Sequence, residues 1–224
     1  ISKNGLDRLD SEVFTCGDAI ENPDAILVRS ASMHEMELSE KTVAIARAGA
    51  GVNNIPIPAC SDKGVVVFNT PGANANAVKE LVLCSLFMAS RKVAASLDWC
   101  KTLKGEGENV GKLVEKGKSN FAGPEILGKT LGIVGLGAIG ALVARDAKAL
   151  GMDIIAYDPF AQGKTDIELV ELDELFAKSD YITLHAPLND GTRGMINAET
   201  IAKMKDGVRI LNFARGELVA SKDI

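Results

Sequence analysis

Arg215 follows the apolar run Val208-Arg-Ile-Leu-Asn-Phe213 and precedes Gly216, a place where a guanidinium cannot be buried without a partner. It must face an anion or solvent. A guanidinium fork matches a carboxylate at two points and can polarise a neighbouring carbonyl as a hydride arrives, and a structural ion pair is the alternative. Of the two histidines, His34 and His185, only the second ends an apolar run, Tyr181-Ile-Thr-Leu-His185, followed by Ala186-Pro187, Asn189 and Thr192. Three roles stay open for His185: proton transfer, cover for one end of a bound cofactor, or a cap on a backbone carbonyl. His34 lies in the polar run Ala31-Ser-Met-His-Glu, which reads as a helix start at the surface.

A third kind of chemistry is anion binding by bare backbone. The apolar stretch Leu131-Gly-Ile-Val runs into Gly135-Leu-Gly137-Ala138-Ile139-Gly140, and Ala141–Leu150 reads as a helix. A strand, a glycine turn and a helix start are what a dinucleotide pyrophosphate needs. One glycine makes the turn, one lets the backbone approach the phosphates, and one packs helix on strand. A second strand, Asp153-Ile-Ile-Ala-Tyr, ends at Asp158, an acid 18 residues past Gly140 that can bond a ribose diol. The pattern therefore predicts a dinucleotide site, with a glycine-rich turn used only for packing as the alternative. A smaller glycine loop, Gly49-Ala50-Gly51-Val-Asn-Asn54, follows the strand Val43–Ala48 and offers free N–H groups to a carboxylate, with a plain turn as the alternative.

These groups need elements to hold them. Ala25-Ile-Leu-Val reads as a buried strand delivering Arg29 and Ser30 at its carboxyl end, where ligands sit in open α/β sheets. Val65–Phe68 is a third strand, and Asn69-Thr-Pro-Gly72 breaks the pattern, so a domain boundary is placed there: 1–72 and 73–224. Ala77–Val93 carries the 3.6 period of a long helix packed on both flanks and connecting the domains. Lys101–Lys118 is charged and glycine-rich and reads as a solvated loop with a short helix. After Asp158 come a short strand at 167–170, a helix at 172–178, the strand ending at His185, a helix at 198–204 and the strand at 208–213. Such alternation means a parallel, doubly wound sheet.

Composition narrows the function. A net charge of −5 and a pI near 5.2 exclude a basic field for nucleic acid, and 46% apolar with 4% aromatic content describes an ordinary α/β protein. No uncharged apolar stretch reaches membrane-spanning length. Cys16, Cys60, Cys84 and Cys100 lie far apart with no metal-ligand spacing, which is read as buried free thiols in a reducing, cytoplasmic setting, with no metal.

In order and spacing, Ile26-Leu-Val-Arg29-Ser30, Ala46-Arg-Ala-Gly49-Ala-Gly51-Val-Asn-Asn54, Val67-Phe-Asn-Thr-Pro-Gly-Ala-Asn74, the Leu131–Gly140 stretch, Leu184-His-Ala-Pro187 and Leu211-Asn-Phe-Ala-Arg215-Gly resemble the D-2-hydroxyacid dehydrogenase family, most closely its D-3-phosphoglycerate branch. The resemblance implies a flavodoxin-like substrate domain followed by a Rossmann-type NAD domain that is incomplete at its carboxyl end. A 2-hydroxy acid would meet the nicotinamide between them. Arg29, Ser30 and Asn74 would contact the substrate and its phosphate, and Ala50 and Gly51 its carboxylate. Gly135, Gly137, Ala138, Ile139 and Gly140 would carry the pyrophosphate, and Asp158 the adenosine ribose. His185, Pro187, Thr192, Phe213 and Ala214 would line the cofactor, with Arg215 as the catalytic arginine. The implied activity is NAD-dependent oxidation of 3-phosphoglycerate to 3-phosphohydroxypyruvate, the first step of serine biosynthesis, in a homodimer or homotetramer. Another 2-hydroxy acid (glycerate or lactate) and a non-catalytic NAD-sensing protein on the same fold are the alternatives. The family's acid/base glutamate and histidine would fall after Ile224 and its opening strand before Ile1. The 224 residues are therefore expected to belong to a longer chain and to be inactive alone. Phe213 departs from the small residue usual at its position, and Asn76 from the basic residue of some relatives.

Overall fold

Short apolar runs form eight strands, and every strand pairing is parallel. The computed structural model describes all of residues 1–224, which form two compact units, Ile1–Asn74 and Ala75–Ile224.

In the first unit a single turn, α1 (Lys3–Leu6), precedes β1 (Ala25–Val28), β2 (Ala44–Arg47), α2 (Ile57–Asp62) and β3 (Val66–Phe68), with sheet order β1-β2-β3. The register sets Ile26, Ile45 and Val67 side by side, and this face packs with Met33, Leu38, Ile55 and Cys60 into the unit's core. Leu27, Ala46 and Phe68 share the opposite face, where Leu27 and Phe68 are exposed. One expectation fails here. Residues 31–35 form no helix, because Met33 is drawn into the core with 1% exposure and its N–H is held by the Asn54 carbonyl at 2.8 Å. His34 does lie at the surface.

The second unit opens with α3 (Ala75–Arg91), α4 (Val93–Thr102) and α5 (Val110–Gly117), then alternates β4 (Thr130–Val134), α6 (Ala138–Ala149), β5 (Asp153–Tyr157), β6 (Glu168–Leu169), α7 (Leu172–Lys178), β7 (Tyr181–Leu184), α8 (Ala198–Ile201) and β8 (Arg209–Asn212). Its sheet order is β6-β5-β4-β7-β8. Helices cover both faces. Val82 and Leu86 of α3 and Val143, Ala144 and Ala147 of α6 pack on Leu131 and Ile133, while Leu175 and Phe176 of α7 pack with Val134, Ile182 and Leu184. Each such fully buried Leu, Ile, Val or Phe side chain contributes about 1.5–3 kcal/mol, which is why strands buried on both sides read as continuous apolar runs.

Several sequence readings are corrected. The 101–118 stretch is mostly helical: its charged residues sit on the solvent faces of α4 and α5, where exposed pairs such as Asp98–Lys101 and Glu115–Lys118 form, and Trp99 packs on Phe121 with ring centroids 5.1 Å apart. The glycine-loop helix starts at Ala138, and α8 is one turn rather than seven residues. Helix α3 buries one face, Ala75, Lys79, Val82, Leu86 and Ser90, not both flanks, and Leu81 is exposed. Only Cys60 among the four thiols is buried, and Cys84 lies on the exposed side of α3.

Lys79 is the one lysine in a core position. Its ammonium meets Asp146 Oδ2 of α6 at 2.8 Å, and Arg145 Nε donates to the other carboxylate oxygen at 2.6 Å. The Arg145 and Lys79 hydrogen bonds hold the Asp146 carboxyl down at about 2. The folded protein thus releases this proton more readily than the unfolded chain, so the pair's stabilisation is complete above the ordinary carboxylate value of 3.8 and is lost as pH falls toward 2. Asp146→Asn is expected to flatten the melting-temperature curve between about pH 4 and 2 and to leave its shape above pH 5 unchanged, as followed by circular dichroism.

Candidate functional site

The strand order of the second unit reverses at β4: β5 and β6 follow on one side, β7 and β8 on the other. In such sheets the crevice lies beyond the carboxyl ends of the strands that flank the reversal. Val134 and Leu184 are register partners at those ends, so Gly135 and His185 are the first residues past the sheet.

Gly135 turns the chain with φ +97°, and a Cβ there would meet the His185 carbonyl carbon at 2.9 Å. A Cβ on Gly140 would lie 2.0 Å from the Gly135 oxygen, so the first turn of α6 rests directly on the loop. At Gly137 a Cβ would have nothing within 4 Å, and no side chain caps the helix that follows. The three glycines are therefore a turn, an open approach and a packing contact. The first-turn N–H groups of Ala138 and Ile139 have no partner within the helix and carry its positive dipole end. This cradle fits a dinucleotide pyrophosphate.

Asp158 stands at the end of β5 with both oxygens engaged: Leu136 N–H donates to Oδ2 at 2.7 Å and Phe160 N–H to Oδ1 at 2.8 Å. The carboxylate is thereby fixed beside the glycine loop, with lone pairs left for a ribose diol. No lysine or arginine lies at 159 or 160.

His185 is the most perturbed group of the site. Its Nε2 lies 3.0 Å from the Oγ1 of Thr183, itself fully buried, and its Nδ1 is buried without a partner. Burial pushes the imidazole down to about 4, so the ring is neutral at physiological pH. Beyond it Pro187 and Thr192 belong to a loop braced from within: Thr192 Oγ1 donates to the Pro187 carbonyl at 2.6 Å and accepts from Asn189 N–H at 2.9 Å, while Asn189 Oδ1 caps Gly191 and Thr192.

After β8, Asn212 makes a comparable turn, accepting from Ala214 N–H at 3.0 Å and donating to the Arg215 carbonyl at 2.8 Å. Phe213 packs against one core cluster and Ala214 against the other, which holds the backbone on both sides. Arg215 is exposed; the one hydrogen bond its side chain makes is from Nη1 to the Ala214 carbonyl at 3.0 Å, and it joins none of the molecule's ion pairs.

In the first unit Arg29 and Ser30 are exposed at the end of β1. The loop after β2 is held from below: Asn69 Nδ2 donates to the Ala50 carbonyl at 2.7 Å, Thr70 N–H to that of Gly49 at 3.0 Å, and Arg47 Nη1 to that of Gly51. Arg47 Nε also donates to the Arg29 carbonyl at 3.0 Å, which brings Arg29, Ser30, Ala50 and Gly51 to one end of the sheet. Asn74 is exposed and is not tied to this group. Sequence reasoning missed Arg47, Asn54 and Thr183. For Arg47 a signal existed: it continues the buried face of Ile45 two residues on, just before a glycine loop.

A cavity of about 500 Å³ lies elsewhere: it opens at the amino ends of β4 and β5 among Thr130, Asp153, Glu168, Lys178 and Lys205. Strand polarity, not volume, marks the ligand crevice in this fold.

Comparison with known proteins agrees with this geometry. The sequence profile of "D-isomer specific 2-hydroxyacid dehydrogenase, NAD binding domain" matches residues 83–224. The chain belongs to this family. A hydroxypyruvate reductase of Thermotoga maritima is 45% identical over 202 residues, 88% of this chain and 62% of that protein. A D-3-phosphoglycerate dehydrogenase of Mycobacterium tuberculosis is 40% identical over 208 residues, 90% of this chain and 37% of that protein. Among solved structures, the NAD+-bound 3-phosphoglycerate dehydrogenase of Entamoeba histolytica superposes with a TM-score of 0.70 at 36% identity, covering 89% of this chain and 58% of that one. The 2-hydroxyacid dehydrogenase family uses this domain to bind NAD.

Two measurements check the site. If Asp158 faces the adenosine ribose, as the resemblance implies, it would repel a 2′-phosphate with no cation at 159 or 160 to offset it, and NADH should bind about tenfold to a hundredfold more tightly than NADPH, by fluorescence titration. The His185 ring resonances should stay flat from pH 8 to about 5.5 and move only near pH 4, since the buried ring takes its proton late. The unfolded chain protonates that histidine near 6.5, so its contribution to stability declines as pH falls from 6.5 to 4.

Proposed function

We propose that the protein is an NAD-dependent oxidoreductase that interconverts 3-phosphoglycerate and 3-phosphohydroxypyruvate. The observation that carries this reading is Arg215, an exposed arginine without a carboxylate partner at the carboxyl end of β8, in a unit whose glycine cradle fits NAD. The chain spans 62% of the Thermotoga reductase and 37% of the mycobacterial dehydrogenase, so activity and substrate of the whole protein belong to this proposal.

NAD supplies a hydride acceptor, and NADH the donor for the reverse direction. Arg215 would grip the substrate carboxylate with its fork and polarise the C2 oxygen, whose negative charge grows as a carbonyl is reduced. Arg29 and Ser30 would hold the phosphate, Asn74 would contact the substrate, and the Ala50 and Gly51 N–H groups would take the carboxylate. Along the cofactor, Ala138 and Ile139 would bond the pyrophosphate, Asp158 the ribose, and His185, Pro187, Thr192, Phe213 and Ala214 would form the wall. His185 is a poor proton donor at neutral pH, because its imidazole is held near 4. The proton on the C2 oxygen would therefore come from a group other than His185. A cytoplasmic homo-oligomer acting in serine biosynthesis completes the proposal.

A second substrate, hydroxypyruvate without the phosphate, is favoured by the 45% identity to the Thermotoga reductase. Arg29 separates the two. In the full-length protein Arg29→Ala should raise KM for phosphohydroxypyruvate and leave hydroxypyruvate kinetics unchanged. For Arg215, charge-assisted hydrogen bonds are worth ~1.5–3 kcal/mol each, so Arg215→Lys should lower kcat/KM by roughly one to two orders of magnitude and Arg215→Ala by more. NADH affinity and melting temperature should hardly move. A fall in melting temperature with intact kcat/KM would reduce Arg215 to a structural role.

A further inference from the structure

Arg47 has no part in the reading above, yet it is the only charged side chain on the core-facing side of the first sheet. It follows Ile45 on the face built by Ile26, Val28 and Val67, is half-buried, and joins none of the ion pairs. Its guanidinium instead spans two carbonyls from separate segments: Nε on Arg29 at 3.0 Å and Nη1 on Gly51. Asn54 joins the same cluster, donating to the Ala31 carbonyl at 2.8 Å. A Cβ on Gly49 would stand 3.2 Å from the guanidinium carbon, so the loop folds closely over the fork. With the Gly49, Ala50 and Gly51 carbonyls all engaged by Thr70, Asn69 and Arg47, the Ala50 and Gly51 N–H groups are left without an acceptor. Unpaired successive N–H groups beside a cation attract an anion.

We propose that Arg47 is the positioning residue of the carboxylate-binding loop: by bridging the Arg29 and Gly51 carbonyls it fixes the Ala50 and Gly51 N–H groups and ties them to the end of β1 that bears Arg29 and Ser30. The carboxylate as ligand rests on the function proposed above; the brace itself rests on the hydrogen bonds. A planar five-donor fork can span two carbonyls in fixed directions, whereas a lysine ammonium is one point charge on a flexible stem.

The test compares full-length wild type, Arg47→Lys and Arg47→Met. Amide hydrogen exchange over residues 49–54, oxalate affinity by calorimetry, and KM and kcat with phosphohydroxypyruvate and hydroxypyruvate are measured on the same preparations. Both variants should exchange faster across 49–54 with residues 130–145 unaffected, and lose about 10- to 100-fold in oxalate affinity and in KM, with kcat within about threefold of wild type. Lysine should not rescue. Full rescue of KM and oxalate affinity by lysine would show that charge alone acts and would overturn the brace, as would faster exchange with unchanged oxalate affinity. If wild type reduces neither 2-oxo acid, the proposed function falls, and exchange with oxalate affinity still decides Arg47.

Discussion

A contact of backbone on backbone governs the second unit. The Gly135 carbonyl lies where a side chain on residue 140 would begin, and the His185 carbonyl lies where one on residue 135 would begin. These two close approaches fix three elements at once: the end of β4, the chain leaving β7, and the first turn of α6. Bare backbone is essential at both places, since even a methyl group would push the helix off the strand or the two strand ends apart. The N–H groups at the start of α6 acquire their direction from this packing rather than from any side chain.

Farther along the same helix, the Lys79–Asp146 pair ties α6 to α3. Two charges removed from water gain little net stability, but a partly buried pair penalises arrangements that separate them. Helix α6 is therefore pinned at its first turn by steric fit and in its third by charge. Its axis, and the direction of its dipole into the crevice, is set at two points.

Much of this was legible in sequence because the signals are local. The 131–140 motif, the strand ending at Asp158 and the alternation of apolar runs with helical stretches rest on neighbours only a few residues apart. What escaped depends on partners distant in the chain. Helix α3 has apolar residues on nearly every side, so composition could not tell which face is inward; Val82 and Leu86 pack on the sheet, Lys79 on the same face meets Asp146, and Cys84 is left outside. The 101–118 stretch looked like a loop because its short helices carry charge on their solvent faces. Arg47 was passed over because its acceptors are carbonyls, which every sequence supplies equally. For His185 the sequence located the ring at a strand end, but its protonation depends on burial and on an unpaired nitrogen that only packing reveals. The assignments to substrate and cofactor contacts come from family resemblance and stand as proposals.

The double role of Asp158 limits how this protein can evolve. Its carboxylate caps two backbone N–H groups, at Leu136 and Phe160, besides the ribose contact proposed for it. Replacing it to admit a phosphorylated ribose would remove a repulsive charge and in the same step strip acceptors from the glycine loop. A mutational path toward a different redox pool therefore passes through a loosened loop, unless a shorter polar residue arrives together with a new cation nearby. If Asp158 sets cofactor preference as proposed, that preference is tied to the anchoring of the glycine loop.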